Sequence, residues 1–343
     1  MASIFKSFSD DDMAKTEEIV HESVPITGTI VSGTYSDNNI KNYGHGMFQS
    51  VYDYPILSSS ANHIFDTTFA YSPRSPLSSS TNTQNAKKIN LYNSMAQQLA
   101  GYDITGSILE FDEDGDILAG GTKIREAVFV NFSRLLYKDE IKKGTFQLQL
   151  GGNNIYTSSF GNGLMITIND TGSATNFRTN SPAGEYGILF RTTGQNAGLV
   201  YYQAGIAVLT SSLFKDYPNM QFVSQSDGAK TFDEALTGSE ISSSCDAFRH
   251  RWYNSQFSNT VEINSSIYFC RINHSDFFYS SNPTYVSASK IRVKNVTADT
   301  PISYISTVGL YSADGEMIAV GKLSEILKNT PSTELIIRAR LDF

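Results

Sequence analysis

Apolar residues recur along this chain in two periods, and alternation dominates. Phe146, Leu148 and Leu150 alternate as in a strand with one buried face. GLMITIND (163–170), EYGILFRTT (185–193) and YYQAGIAVLTSSLF (201–214) read as further strands, rich in β-branched and aromatic residues. Beyond residue 260 the strand pattern returns in VEINSSIYFCRINH, KIRVKNV, ISYISTVGLYS, EMIAVGKL and ELIIRARLDF. The helical period appears in fewer places. NAKKINLYNSMAQQLAG puts Ile89, Tyr92, Ala96 and Leu99 on one face and ends at Gly101. KIREAVFVNFSRLLYKDEIKKG (123–144) predicts a second helix through Val128, Phe132, Leu135 and Leu136. SSSCDAFRHRWYNSQF (242–257) predicts a third. Ser9 before Asp10–Asp12 looks like a helix start, with that helix ending before Pro25 and a strand following in ITGTIVSGTY. The expectation is an α+β protein, mostly β, with an extended N-terminal arm, a few helices and a hairpin-built core that is sandwich-like or barrel-like.

Four regions follow: an arm over 1–84, an α/β hairpin–helix unit over 85–150, a β-rich region over 151–225, and a helix plus a β-rich region over 226–343. Between Tyr35 and Thr83 the chain is rich in Ser, Asn and Tyr, with prolines at 55, 73 and 76. A free loop of that length is unusual in a compact domain. Its aromatics Phe48, Tyr52, Tyr54, Phe65, Phe69 and Tyr71 need burial, either on a neighbouring subunit or on the chain's own domain. Trp252, the one tryptophan, sits beside two arginines and is equally consistent with an interface anchor or a core residue.

Two segments echo each other. ILEFDEDGDILAGGTKIRE (108–126) and VGLYSADGEMIAVGKLSEI (308–326) both read as strand, Asp-Gly turn, strand, then helical residues. Asp114-Gly115 and Asp314-Gly315 suit tight hairpin turns, because Gly adopts positive φ freely and Asp tolerates it. A duplicated module and two ordinary hairpins both fit.

Composition narrows the classes. Of 343 residues 40% are apolar, enough for a core, and only 17% are charged, against roughly 25% in an average domain. The net charge of -8 argues against a surface built to neutralise nucleic-acid phosphates. No stretch of about 18 apolar residues is present, so no membrane-spanning helix is expected. The first residues lack the apolar core of a secretion signal, which predicts synthesis in a cytoplasm and free thiols at Cys245 and Cys270.

Candidate chemistry is sparse. The run Asp112-Glu113-Asp114-Gly115-Asp116 fails the calcium-loop pattern, since Gly falls at the fourth position and Lys123 at the twelfth. Cys245 with His250 and Cys270 with His274 offer zinc ligands at poor spacing. His45 in Asn-Tyr-Gly-His-Gly reads as a turn residue rather than a catalytic one. No nucleophile elbow, phosphate loop or dinucleotide fingerprint occurs. No catalytic residue, metal or cofactor is expected.

Several segments carry a resemblance: residues 1–36, HGMFQSVYDYPILSSSANHIFD, STNTQNAKKINLYNSMAQ, and SNPTYVSASKIRVKNVTADTPISYISTVGLYSADGEMIAVGKLSEILKNT. Together they resemble virion structural proteins of contractile-tailed phages that infect marine cyanobacteria. VGLYSADGEMIAV is also similar to a hairpin in baseplate-attachment domains of phage tail fibres. The resemblance implies a non-catalytic structural role in the tail, baseplate or neck, within a virion assembled in the host cytoplasm. It implies contacts with other virion proteins and with copies of the chain itself in a ring, with no nucleic acid and no membrane as partner. A fibre or receptor-binding protein is the alternative, and a tail-associated polysaccharide hydrolase a more distant one.

Overall fold

The computed structural model describes residues 6–26, 37–116, 120–151, 165–173, 175–215, 222–224, 228–249, 251–274, 276–277, 286–287, 290–291, 300 and 302–343. The protein is α+β and mostly β. The chain forms two compact units, residues 20–261 and residues 1–19 with 262–343. The boundary falls inside the strands Met13–Ile26 and Trp252–Ile272.

The larger unit is built on an antiparallel sheet. Its order runs from the start of Trp252–Ile272 through Gln147–Gly151, Met165–Asn169, Tyr186–Arg191, Asn196–Tyr201, Ile206–Thr210, Glu126–Phe132, His63–Tyr71 and Gln49–Tyr52 to Ile40–Asn42. The central strand Glu126–Phe132 replaces the helix expected there. Its register pairs Phe69 with Val128, Thr67 with Val130, and Phe65 with Phe132 on one face. Phe129 lies on the other face, where it meets Tyr92 and Phe111. A strand covered on both faces reads as a continuous apolar run, so Ala-Val-Phe-Val carries no alternation to reveal it. Of the expected helix, one turn remains at Arg134–Tyr137.

The N-terminal region also departs from expectation. Asp10–Asp12 form a single 3-10 turn, and Met13–Ile26 is a strand rather than a helix. The Ser9 amide and hydroxyl both donate to the Asp12 carboxylate, at 3.0 and 2.7 Å, which closes that turn. Beyond it Met13, Ile19 and Val20 are exposed, so no apolar stripe holds a helix against a core. Residues 40–71 are not an arm but three strands of the sheet. ITGTIVSGTY lies mostly outside the described residues.

Helix Asn85–Leu99 forms where the spacing predicts it and buries Lys88, Leu91, Tyr92, Ala96 and Leu99. Tyr71 ties it to the sheet by donating to Asn85 at 2.7 Å. Ile241–Arg249 is helical, but the predicted helix ends there and Trp252 opens a strand.

In the smaller unit, Leu335–Asp342 pairs antiparallel with Ser265–Ile272. Ser303–Tyr311 and Met317–Asn329 form a separate two-stranded ribbon closed by the Asp314-Gly315 turn. The residues at the end of the echoed segment, expected to be helical, continue the strand to Asn329. Leu323, Ile326 and Leu327 satisfy a helical spacing, which is why so short a window misleads.

Candidate interaction surface

The buried carboxylates Glu110, Asp112 and Asp170 of the larger unit have partners, while the buried Tyr201 hydroxyl has no hydrogen-bond partner among the described residues. Glu110 accepts from the Ser72 hydroxyl at 2.5 Å and from Arg125 Nε at 3.3 Å. It borders a cavity of about 180 Å³ lined also by Ser72, Pro73, Arg74, Tyr92, Asn93, Ile108 and Leu109. Ser72 Oγ in turn accepts the Arg74 amide at 3.1 Å, so the pair braces a turn. Asp170 is fully buried and accepts from the amides of Gly144 and Phe146 and from Tyr202, at 2.8, 2.9 and 3.0 Å. Burial pushes its pKa up while these donors pull it down.

Asp112, Asp114 and Asp116 bring carboxylate oxygens within 4.8 Å of one another. The buried Asp112 is paired with Lys123, which sits across the short pairing of Phe111–Asp112 with Lys123–Ile124. Gly115 takes a φ of +72° in the turn, and its carbonyl accepts from Tyr186 at 2.6 Å.

Cys245 is a buried free thiol that donates to the Thr67 carbonyl at 3.2 Å, and burial raises its pKa beyond the usual range. Cys270 is a half-buried free thiol. His250 lies outside the described residues. His274 Nδ1 stands 3.4 Å from Glu334. His45 stacks on Tyr43 at 5.2 Å, and its Nδ1 accepts the Met47 amide at 3.0 Å.

The aromatics singled out as subunit contacts divide sharply. Phe65, Phe69, Tyr71 and Trp252 are at most 1% exposed within this one chain. Trp252 stacks on Phe65, and Phe69 meets Phe248 and Phe232. These four are core residues, so as isolated contacts to a neighbour they are ruled out by their own packing. Phe48 and Tyr52 are half-buried, and Tyr54 is exposed.

Exposed apolar side chains stand at several places, among them Leu57, Ile104 and Leu135 in the larger unit, and several stand together on the ribbon of the smaller unit. Tyr304, Ile318, Val320 and Ile326 are 67%, 66%, 64% and 64% exposed, and Tyr311 and Met317 are also exposed. Val308 and Leu310 share a face with Gly321 and Ala319, while Thr307 and Gly309 share the other with Lys322 and Val320. Gly315 at φ +83° closes the turn, and the Ser312 amide donates to the Glu316 backbone carbonyl at 2.8 Å. An isolated two-stranded ribbon is marginal in water, and an exposed apolar patch of this kind marks an interaction site. The apolar run Met317–Val320 signals a strand but not which of its residues lack cover: Leu310 is buried and Val308 and Ala319 are half-buried on one face, while Val320 on the other is exposed.

Among the described residues no helix is long and apolar enough to cross a membrane. Comparison with protein-family models, with curated proteins and with solved structures found no match.

Proposed function

We propose that this chain is a structural subunit of a contractile-tailed phage particle, placed in its tail, baseplate or neck. It would act through contacts with other virion proteins and not by catalysis. The observation that carries this reading is the ribbon Ser303–Asn329. Four large apolar side chains there are about two-thirds exposed, which costs solubility unless another protein covers them. Two further features support it. The buried carboxylates Glu110, Asp112 and Asp170 are engaged in structural pairs. Segments at both ends of the chain resemble cyanophage virion proteins.

The test is mass spectrometry of purified phage particles, followed by immunogold electron microscopy with antibody against this chain. The expected result is the protein in the particle with label on the tail or at the head–tail junction. Absence of its peptides from purified particles would sink the reading.

A further inference from the structure

We infer that Lys123 and Asp112 become joined through their side chains, by an amide bond that the folded chain forms on its own with loss of one water. This is a self-modification within the larger unit and does not depend on a role in any particle.

The strand pairing supplies the placement. Phe111–Asp112 pairs antiparallel with Lys123–Ile124, which sets Asp112 directly opposite Lys123. Directly opposed residues have Cβ atoms about 4.5–5.5 Å apart, so a lysine can fold onto the facing carboxyl. Lys123 Nζ meets Asp112 Oδ2 there, with the Asp112 side chain 0% exposed and that of Lys123 16%. Other lysine partners stay wetter: Glu185 beside Lys143 and Asp233 beside Lys215 are 31% and 45% exposed. The second oxygen of Asp112 is enclosed as well. A Cβ on Gly121 would lie 2.9 Å from Oδ1, and the Asp114 amide donates to that oxygen at 3.4 Å.

This environment turns an ion pair toward reaction. Burial costs a charged pair far more than the neutral pair reached when one proton crosses from Nζ to Oδ2. A neutral, desolvated lysine amine is a nucleophile, and a carboxylic acid facing it is its electrophile. A third group stands beside them, since carboxylate oxygens of Asp114 and Asp112 lie within 4.8 Å. Burial above all, and also the Asp114 carboxylate, raise the Asp112 pKa against the pull of Lys123. The Asp114 pKa is lowered, chiefly by the Asp116 amide, so Asp114 is the carboxylate left ionised to accept a proton.

The step balances without an added reagent. The Nζ lone pair attacks Asp112 Cγ and forms the Nζ–Cγ bond. Asp114 takes a proton from Nζ and returns it to the Oδ2 hydroxyl. The Cγ–Oδ2 bond then breaks and water leaves past the exposed Asp114. An ammonium and a carboxylate become an amide and water, and nothing is oxidised or reduced. Oδ1 carries the negative charge of the intermediate and remains as the amide oxygen, with the Asp114 N–H as its donor. Holding both groups in register replaces a bimolecular encounter, which is what lets an unactivated carboxyl react.

The experiment is mass spectrometry of the purified full chain, intact and after denaturation and trypsin digestion. The intact wild type is expected one water lighter than its sequence. Residues 89–125 should appear as one peptide, one water light and uncut after Lys123, because an acylated lysine is not a trypsin site. Lys123→Arg keeps the ion pair but removes the amine, and it should show the full mass with an unchanged circular-dichroism spectrum. Asp114→Ala should link more slowly by about tenfold or more after cell-free synthesis, the loss expected of a proton acceptor. A wild type of full mass that trypsin cuts after Lys123 overturns the inference. So does a water loss that survives in Lys123→Arg, or one that leaves Lys123 open to trypsin, which would mark a succinimide at Asp114-Gly115 instead. Linking in Asp114→Ala at the wild-type rate removes Asp114 from the step.

Discussion

The rings of Phe65 and Trp252 stack at 4.3 Å with an interplanar angle of 18°, although six strands separate their own strands in the order of the sheet. Within the larger unit the sheet therefore curls until residues near its two ends meet. Phe132, Phe248 and Phe257 complete the aromatic cluster, with Phe132 at 6.2 Å from Trp252 and 5.3 Å from Phe257. This contact is what closes the core, and it leads to the first prediction.

Trp252→Ala and Phe65→Ala should each lower unfolding free energy by about 3–5 kcal/mol, the range for large aromatic truncations in a core. The double variant should cost about 1 kcal/mol less than the sum, because the stacked pair is lost once. Urea titration monitored by circular dichroism measures all three. Additive losses would show that the rings do not interact.

Lys88 is completely buried, and its ammonium donates to the carbonyls of Thr83, Leu236 and Ser239 at 2.8, 2.7 and 2.7 Å. It thereby ties helix Asn85–Leu99 to the end of helix Phe232–Gly238. Lys88→Met leaves three buried acceptors without their donor and should destabilise by about 2–4 kcal/mol near neutral pH.

The same residue predicts a pH dependence. Burial lowers the Lys88 pKa from 10.5 to about 8, with the charge of Glu240 opposing the fall. Between those values the unfolded chain holds the proton that the folded chain has released. Stability from this group therefore rises with pH across the window, by about 3 kcal/mol in full. Below pH 8 the group is charged in both states and contributes no slope. Unfolding of wild type and Lys88→Met between pH 7 and 10 should diverge in that direction, and parallel curves would refute the assignment.

Asp170 gathers the turn at Gly144–Phe146 and the Tyr202 hydroxyl around one buried carboxylate. Asp170→Ala removes the acceptor for three donors, at a cost of about 2–4 kcal/mol. Asp170→Asn, which retains one acceptor oxygen, should recover part of it. Thermal melts of the two variants rank them.

Gly198 takes a φ of +143°, and a Cβ there would lie 1.9 Å from the Val208 carbonyl oxygen. It sits opposite Leu189, beside the register shift between Tyr186–Arg191 and Asn196–Tyr201. Gly198→Ala must displace backbone and should cost more than about 3 kcal/mol. Gly194, at φ +87°, has open space around it, so Gly194→Ala should cost only about 1 kcal/mol, for the backbone conformation alone. Equal losses at the two sites would remove the steric argument.

Local signals made much of this protein legible. The segments 147–151, 165–169, 186–191 and 206–210 are strands, and Ile89, Tyr92, Ala96 and Leu99 lie on a helix. Gln147–Gly151 and Met165–Asn169 alternate between a buried and a half-buried face, and Tyr186–Arg191 and Ile206–Thr210 are short β-branched and aromatic runs buried along nearly their whole length, patterns that the residues themselves carry. Elsewhere the same local pattern suits two structures. Val128, Phe132, Leu135 and Leu136 fall on a helical face, yet the pairing of Glu126–Phe132 with strands on both sides makes it a central strand. Those partners lie about 60 and 80 residues away in the chain, beyond any local window.

The side-chain chemistry divides in the same way. Residue types along the chain settle its low charge, its free cysteines and the glycines at the Asp-Gly turns. Long-range packing alone assigns Phe65, Phe69, Tyr71 and Trp252 to the core, and it leaves Tyr304, Ile318, Val320 and Ile326 uncovered. An aromatic or aliphatic residue signals that it must be buried. Whether its own chain or another one buries it depends on which distant surfaces fold back to meet it, and that is set by topology rather than by the neighbouring residues.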